Sequence, residues 1–296
     1  MRVFVTGATG FIGSVIVQEL LNAGHEVLGL VRSEASAQQL AATGARVHRG
    51  TLDDLDSLKQ GVAASDGVIH TAFIHDFANY KENCETDRRA IEAMGSVLIG
   101  SARPLVITSG TAVVNPGRLA TEADRPAAGS DAIPRVASEE AAAAVADRGV
   151  NVSVVRLPPS VHGSGDHGFV PMLIDLARQK GTSAYIGEGL NRWPAVHRQD
   201  AAHLFRLVLE HGAAGSVYHG VADEGVLFRD IAGVIGKRLN LPVVSQSPDE
   251  AAAHFGWFNL FAAINNPASS AQTRATLGWQ PNQPGLLADL DSAAYL

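Results

Sequence analysis

A single cysteine, Cys84, is present in 296 residues, which excludes an internal disulfide and any multi-cysteine zinc site. That usage fits a reducing cytoplasm, the expected location, and Cys84 itself falls in a stretch that reads as helix. Lysine is scarce too, supplying four of the 23 basic residues. With a net charge of −7 and no cluster of Lys or Arg, the chain lacks the footprint of a nucleic-acid or anionic-membrane partner. No apolar run reaches the roughly 18 residues that span a bilayer, and no charged and then apolar leader precedes the first strand. A soluble, unprocessed chain is expected. Internal repeats and low-complexity linkers are also missing. The 46% of hydrophobic residues is enough for a sizeable core, so disorder is excluded as well.

What is present begins at once, in Met1 to Ile16 (MRVFVTGATGFIGSVI). The apolar run Val3 to Val5 leads into a turn with Gly7, Gly10 and Gly13. Phe11, Ile12, Val15 and Ile16 then fall at helical spacing, which makes a strand, a glycine loop and a helix. Gly7 can take the positive φ of a tight turn, Gly10 admits a pyrophosphate close to the backbone, and Gly13 lets helix and strand pack closely. The helix aims its free N–H groups and positive dipole end at that pyrophosphate.

Beyond the loop, strands and helices alternate. Strands are predicted at Glu26 to Val31, Ala45 to His48, Gly67 to Ala72, Leu105 to Thr108 and Val152 to Leu157. Helices are predicted at Ala35 to Ala42, Leu55 to Val62, Glu82 to Gly100 and Ala137 to Asp147. This order implies right-handed crossovers, a Rossmann-type doubly wound parallel sheet of the α/β class, and ligand binding at the carboxyl ends of the strands. After Pro158 the rhythm loosens. Gly/Pro/His-rich loops are read at Pro158 to Gly168 and Gly187 to Pro194, with helices near Phe169 to Gln179, Gln199 to Glu210 and Phe228 to Leu239. The division expected is a nucleotide-binding domain over 1–157 and a lobe over 158–296, interleaved as one unit.

The string Thr6-Gly7-Ala8-Thr9-Gly10-Phe11-Ile12-Gly13 resembles the cofactor loop of the extended and atypical short-chain dehydrogenases/reductases, the epimerase/dehydratase-like superfamily. Its glycines run G-x-x-G-x-x-G. Thr276-Leu277-Gly278-Trp279-Gln280-Pro281 resembles the "LGW-x-P" ending of extended members, so the likeness spans the chain. The resemblance implies that the C-terminal segment is a smaller substrate lobe, and that Gly7, Thr9, Gly10, Phe11, Ile12 and Gly13 hold a nicotinamide dinucleotide. At the end of the second strand, where a carboxylate selects NAD, stand Arg32 and Ser33. A fixed guanidinium and a hydroxyl suit a 2′-phosphate, so NADP(H) is expected; the alternative is an ordinary exposed loop charge. Leu52, in Gly50-Thr51-Leu52-Asp53, matches the segment that contacts adenine. Ala72 and Phe73 match the strand end beside the pyrophosphate, with His70 inside that strand read as a satisfied core histidine.

The superfamily's reductases use Tyr-x-x-x-Lys with a nearby Ser or Thr. None of the four tyrosines, Tyr80, Tyr185, Tyr218 and Tyr295, has a lysine four residues on. In the expected place, Asp131 stands for the tyrosine and Arg135 for the lysine. Arg135 can keep a ribose or phosphate contact and a positive field; it cannot donate a proton at neutral pH. Thr108-Ser109-Gly110-Thr111 resembles the strand end carrying the catalytic serine, which makes Ser109 and Thr111 candidates for stabilising charge. The register leaves Gly110 or Thr111 as the serine's counterpart. Histidine then becomes the candidate proton donor, either His75 just past the fourth strand, or His162 and His167. The latter two lie in a segment that follows Arg156 and, with Pro158, resembles the "R-P-x-x-V-Y-G-P-G-D" stretch on the nicotinamide side. His75, Asp76, His162 and His167 match no known metal-ligand spacing, and no metal is expected. Asp200 is read as the cap of the helix that follows it. Trp193, Phe255, Trp257, Phe258 and Phe261 suit either an apolar wall for an aromatic or hydrophobic substrate or ordinary core packing.

The expected activity is NADP(H)-dependent reduction of a small carbonyl or similarly polarised acceptor. The alternative is a non-catalytic NADP(H)-responsive binding protein; a nucleotide-sugar epimerase or dehydratase is disfavoured because those reactions lean on the missing tyrosine. The superfamily's habit implies a homodimer through the helices that begin near Glu82 and Ala137.

Overall fold

Near-continuous apolar strands alternating with one-faced helices build a seven-stranded parallel sheet in the computed structural model, which describes residues 1–115, 117–292 and 295. Its strands are β1 (Arg2–Thr6), β2 (Glu26–Val31), β3 (Arg46–Arg49), β4 (Gly67–His70), β5 (Leu105–Gly110) and β6 (Val152–Leu157). The C-terminal segment then contributes β7 (Ser160–His162), β8 (Ser183–Ile186), β9 (Arg192–His197), β10 (Val217–His219), β11 (Asp223–Leu227) and β12 (Val243–Gln246). The main sheet runs β10-β6-β5-β4-β1-β2-β3. The order reverses between β1 and β4, and a crevice at that point, beyond the carboxyl ends of the strands, is where ligands sit in such sheets.

Helices cover both faces. On one lie α1 (Gly13–Asn22) and α2 (Glu34–Ala41), on the other α3 (Leu55–Ala63), α4 (Tyr80–Leu98) and α5 (Ala137–Ala146). The C-terminal segment adds α6 (Phe169–Lys180), α7 (Arg198–His211), α8 (Phe228–Leu239), α9 (Pro248–Phe255), α10 (Asn259–Ala262), α11 (Ala271–Leu277) and α12 (Leu286–Leu290). α7 packs on α1, with Phe205 and Leu204 meeting Ile16 and Leu20 in one cluster. Because β10 joins the edge of the N-terminal sheet and α7 covers its face, the two segments share one core. The remaining lobe is built on the sheets β11-β9-β7 and β12-β8, around Trp193, Phe228, Phe255 and Leu286. Among the described residues, no helix is long and apolar enough to cross a membrane.

Two local expectations are corrected. The segment read as a loop to Pro194 is in part the central strand β9, and the proline lies opposite a bulge in β11 between Asp223 and Val226, where the pairing register shifts. α7 starts one residue earlier than predicted and is capped by the His197 ring, which accepts the Gln199 N–H at 3.2 Å. Asp200 instead accepts the backbone N–H groups of Asn282 (3.0 Å) and Gln283 (3.1 Å), while the fully buried Trp279 donates its Nε1–H to the Asp200 carbonyl at 3.0 Å. The aromatic run is also divided between the two roles considered for it: Phe255 and Phe258 are buried in the lobe core, whereas Trp257 is exposed. α9 ends at Phe255, and Gly256 at φ +56° turns the chain before Trp257.

Candidate active site

The glycine turn is as tight as its residue types allow. Gly7 stands at φ +71°, and a Cβ there would lie 2.9 Å from the backbone nitrogen of Ala72. A Cβ on Gly13 would lie 1.9 Å from the Gly7 carbonyl oxygen, which also accepts the Gly10 N–H at 2.9 Å. α1 starts at Gly13 without a side-chain cap and without an acidic residue in its first turn. Its orphan N–H groups and positive end therefore face the crevice unneutralised. Those features fit the pyrophosphate of a dinucleotide. Thr9, Phe11 and Ile12 are half-buried around the turn; the Arg198 guanidinium lies 4.8 Å from the centre of the Phe11 ring, and His167 approaches the same ring edge-on at 5.6 Å.

Further along the crevice, Arg32 is exposed just past β2 and has no hydrogen bond or ion pair among the described residues. Ser33 is its neighbour, but that hydroxyl is already used: it caps α2 by accepting the Ser36 N–H at 3.1 Å and donates to the Ser36 hydroxyl. Leu52 turns its side chain into the core with Phe4 and Leu30.

At the carboxyl ends of β4 and β5 a charged cluster forms around Arg135. Its guanidinium donates to Asp87 Oδ2 and to the Thr108 carbonyl, each at 2.9 Å, and stacks on Phe73 at 4.3 Å. Ser138 also bonds Arg135 and Asp87. The other Asp87 oxygen meets His70 Nε2 at 2.9 Å, and His70 Nδ1 meets Thr6 Oγ1 at 2.7 Å. His70 is thus a satisfied core histidine, and it links the glycine turn to Arg135. Burial would raise the Asp87 carboxyl, but Arg135, His70 and Ser138 outweigh it and hold it at about 2. Asp87 belongs to none of the motifs read from the sequence. A signal is nevertheless present: it is a carboxylate on the buried stripe of α4 formed by Cys84, Ala90, Ile91 and Met94.

The hydroxyls of Ser109 and Thr111 point inward, against the expectation that they face a reacting oxygen. Ser109 donates to Glu139 at 2.7 Å, beside the fully buried Arg156 that pairs twice with Glu139. Thr111 is fully buried and donates to Asn266 at 2.7 Å. Between them Gly110 has open space where a side chain would stand: a Cβ on it would have the Leu157 carbonyl oxygen as its nearest neighbour, at 3.7 Å. Pro158 is buried just past β6.

Of the three histidines only His75 and His167 lie near one another, close enough for the charge of one to act on the other; His162 stands apart. His162 is fully buried in the lobe, its Nδ1 2.8 Å from Asp289, so it has no path to a cleft. His167 is exposed beside Phe11. His75 is the one at the cluster, accessible to solvent and edge-on to Phe73 at 5.2 Å. Desolvation by its neighbours lowers its pKa below the ordinary histidine value, and the positive fields of Arg135 and His167 act in the same direction. Asp76 caps the short turn after His75 by accepting the Ala78 N–H at 3.0 Å, which fixes that loop. Asp131, in the tyrosine's expected place, is fully exposed and 3.7 Å from Lys81. Tyr80, at the start of α4, lies 6.2 Å from Phe73, and burial pushes its phenol up to about 12.

Comparison with known proteins gives a consistent picture. The NAD dependent epimerase/dehydratase family model matches residues 3–220. An uncharacterized protein of Schizosaccharomyces pombe is 56% identical over 296 residues, covering 100% of both chains. A 4-hydroxy-2-methyl-3-oxo-4-farnesyl-3,4-dihydroquinoline-1-oxide ketoreductase of Stigmatella aurantiaca is 29% identical over 90% of this chain and 84% of its own. Among solved structures, a dTDP-glucose 4,6-dehydratase from Streptomyces venezuelae with NAD bound superposes with a TM-score of 0.79 at 21% identity, covering 99% of this chain and 96% of that one.

Proposed function

This chain belongs to the NAD dependent epimerase/dehydratase family, and on that premise we propose that it is an NADP(H)-dependent reductase of a carbonyl compound. The observation that carries the proposal is the placement of Arg135, with His75 beside it, at the carboxyl ends of β4 and β5 and next to a glycine turn that fits a dinucleotide. The ketoreductase name of the Stigmatella aurantiaca relative supports the same direction of chemistry.

The glycine turn of Gly7, Gly10 and Gly13 would hold NAD(P)H, which would supply the hydride, with its two electrons, for the carbonyl carbon. The residues of this chain manage the oxygen. As the carbonyl π pair collapses onto that oxygen, the fixed positive charge of Arg135 stabilises the developing alkoxide. Asp87 and the Thr108 carbonyl hold the guanidinium in place for that role. His75, when protonated, hands its proton to the oxygen and leaves an alcohol. A histidine with a lowered pKa is a stronger acid in this direction, and a free base at neutral pH for the reverse. Arg32 supports NADP(H) over NAD(H) through its unpaired charge at the end of β2. The inward-turned hydroxyls of Ser109 and Thr111 favour a second reading, a non-catalytic protein that binds NADP(H).

Turnover separates the two. Reduction should proceed fastest at acid pH and fall as pH rises through the lowered pKa of His75, because the proton donor is then lost; alcohol oxidation should rise over the same window. His75→Gln should flatten both profiles. Arg135→Met should lower kcat/KM about a hundredfold. Unchanged turnover in both variants would remove this site assignment, and no turnover in the native protein with retained NADPH binding would favour the second reading.

A further inference from the structure

We propose that the substrate is an apolar aromatic or ring-conjugated carbonyl compound, seated along a band of aromatic rings that runs from Arg135 out to Trp257; this rests on the reductase reading above. The band is continuous. Arg135 covers Phe73, whose ring centre is 6.2 Å from that of Tyr80, and Tyr80 stacks on Phe77 at 5.7 Å. Phe77 in turn lies 5.4 Å from both Trp257 and Phe261, and Phe261 lies 4.7 Å from Phe169. Three stretches distant in sequence supply these rings: the loop after β4 together with the first residue of α4, the start of α6, and the segment from Gly256 through α10.

The outer end of the band is open. Trp257 is 58% exposed and Leu260 79% exposed, whereas the other two tryptophans, Trp193 and Trp279, are fully buried. Gly256, at a positive φ, ends α9 and lets Trp257 face outward, away from the lobe core that holds Phe255 and Phe258. Large apolar surface held beside a polar reaction centre is what a ring-bearing substrate covers, each ring gaining from burial and from offset or edge-on contacts. The rings of the band are apolar, and the cation at its inner end, Arg135, is the group that meets the reacting oxygen in the reductase reading. A nucleotide-sugar diphosphate needs cations to hold it, and this surface offers a planar apolar group a better fit.

Trp257 is also the one exposed tryptophan, so its fluorescence reports this surface directly. The test is acrylamide quenching of the full-length protein with NADP+ present, adding either benzyl alcohol, the alcohol product of an aromatic aldehyde, or UDP-glucose. Benzyl alcohol is expected to shield the quenchable tryptophan and UDP-glucose to leave it open, with Trp257→Leu removing the quenchable component. Protection by UDP-glucose, or none by benzyl alcohol, would overturn the proposal. In parallel, NADPH consumption with benzaldehyde is expected to show at least a tenfold higher kcat/KM than with glyceraldehyde, and Trp257→Ala to raise the benzaldehyde KM about tenfold. Equal or better use of glyceraldehyde would refute the substrate class while leaving the reductase intact. Shielding by benzyl alcohol without NADPH consumption would do the reverse.

Discussion

Asp87 shows how a single buried carboxylate ties a core histidine to the candidate site residue Arg135. Its carboxylate meets Arg135 on one oxygen and His70 on the other, and removing one partner of a buried ion pair leaves an uncompensated charge. Asp87→Ala should therefore cost about 3–5 kcal/mol in urea unfolding. The sign with pH follows from the depressed pKa. The contribution of Asp87 is complete above the unfolded value of 3.8 and is lost as pH falls toward about 2. A native protein whose urea midpoint falls no faster than that of Asp87→Asn across this window would contradict the assignment. The same residue scale shows where a sequence stops being legible. Arg135 stands out by its place four residues after Asp131, where the resemblance puts the lysine, whereas Asp87, 48 positions away from Arg135, has no local pattern that joins it to Arg135. His162 is misplaced by its neighbours in sequence, which resemble a cleft-lining segment, while its partner Asp289 comes from α12, 127 positions later.

At the scale of elements, the glycine turn carries the most specific consequences. A methyl on Gly13 collides with the Gly7 carbonyl oxygen at 1.9 Å, and that oxygen is backbone that cannot step aside. A methyl on Gly10 comes only to 3.2 Å of the same atom. Gly13→Ala should lower stability by about 1–3 kcal/mol and abolish NADPH binding with it. Gly10→Ala should lower the melting temperature less than Gly13→Ala and still lose NADPH binding, because its methyl crowds the turn where the backbone must approach the pyrophosphate. Thermal unfolding and nicotinamide fluorescence, measured on both variants, check this; equal behaviour of the two would contradict the geometry. Most elements of the main sheet are legible from apolar runs and helical periodicity. β4 and β6, buried throughout, show as short apolar blocks. β9 does not, because Pro194 and its glycine-rich approach read as loop. Only the bulge in β11, a tertiary feature, makes room for a proline there.

The whole molecule joins a nucleotide-binding sheet to a lobe that reaches back to it twice, through β10 in the sheet and through α7 against α1. That arrangement brings Arg198 and His167 of the second segment onto Phe11 of the glycine turn, and Phe169, Trp257 and Phe261 onto Phe77 of the β4 loop. The cofactor crevice and the aromatic band thus meet at Arg135, a convergence no stretch of sequence displays by itself. The measurement that tests the central claim most directly is a parallel titration of the native protein and Arg32→Glu with NADPH and NADH at fixed salt, followed by nicotinamide fluorescence. The account predicts tighter binding of NADPH to the native protein and loss of that preference in Arg32→Glu, where a carboxylate meets the 2′-phosphate. Equal or tighter binding of NADH by the native protein, or binding of neither nucleotide, would contradict it.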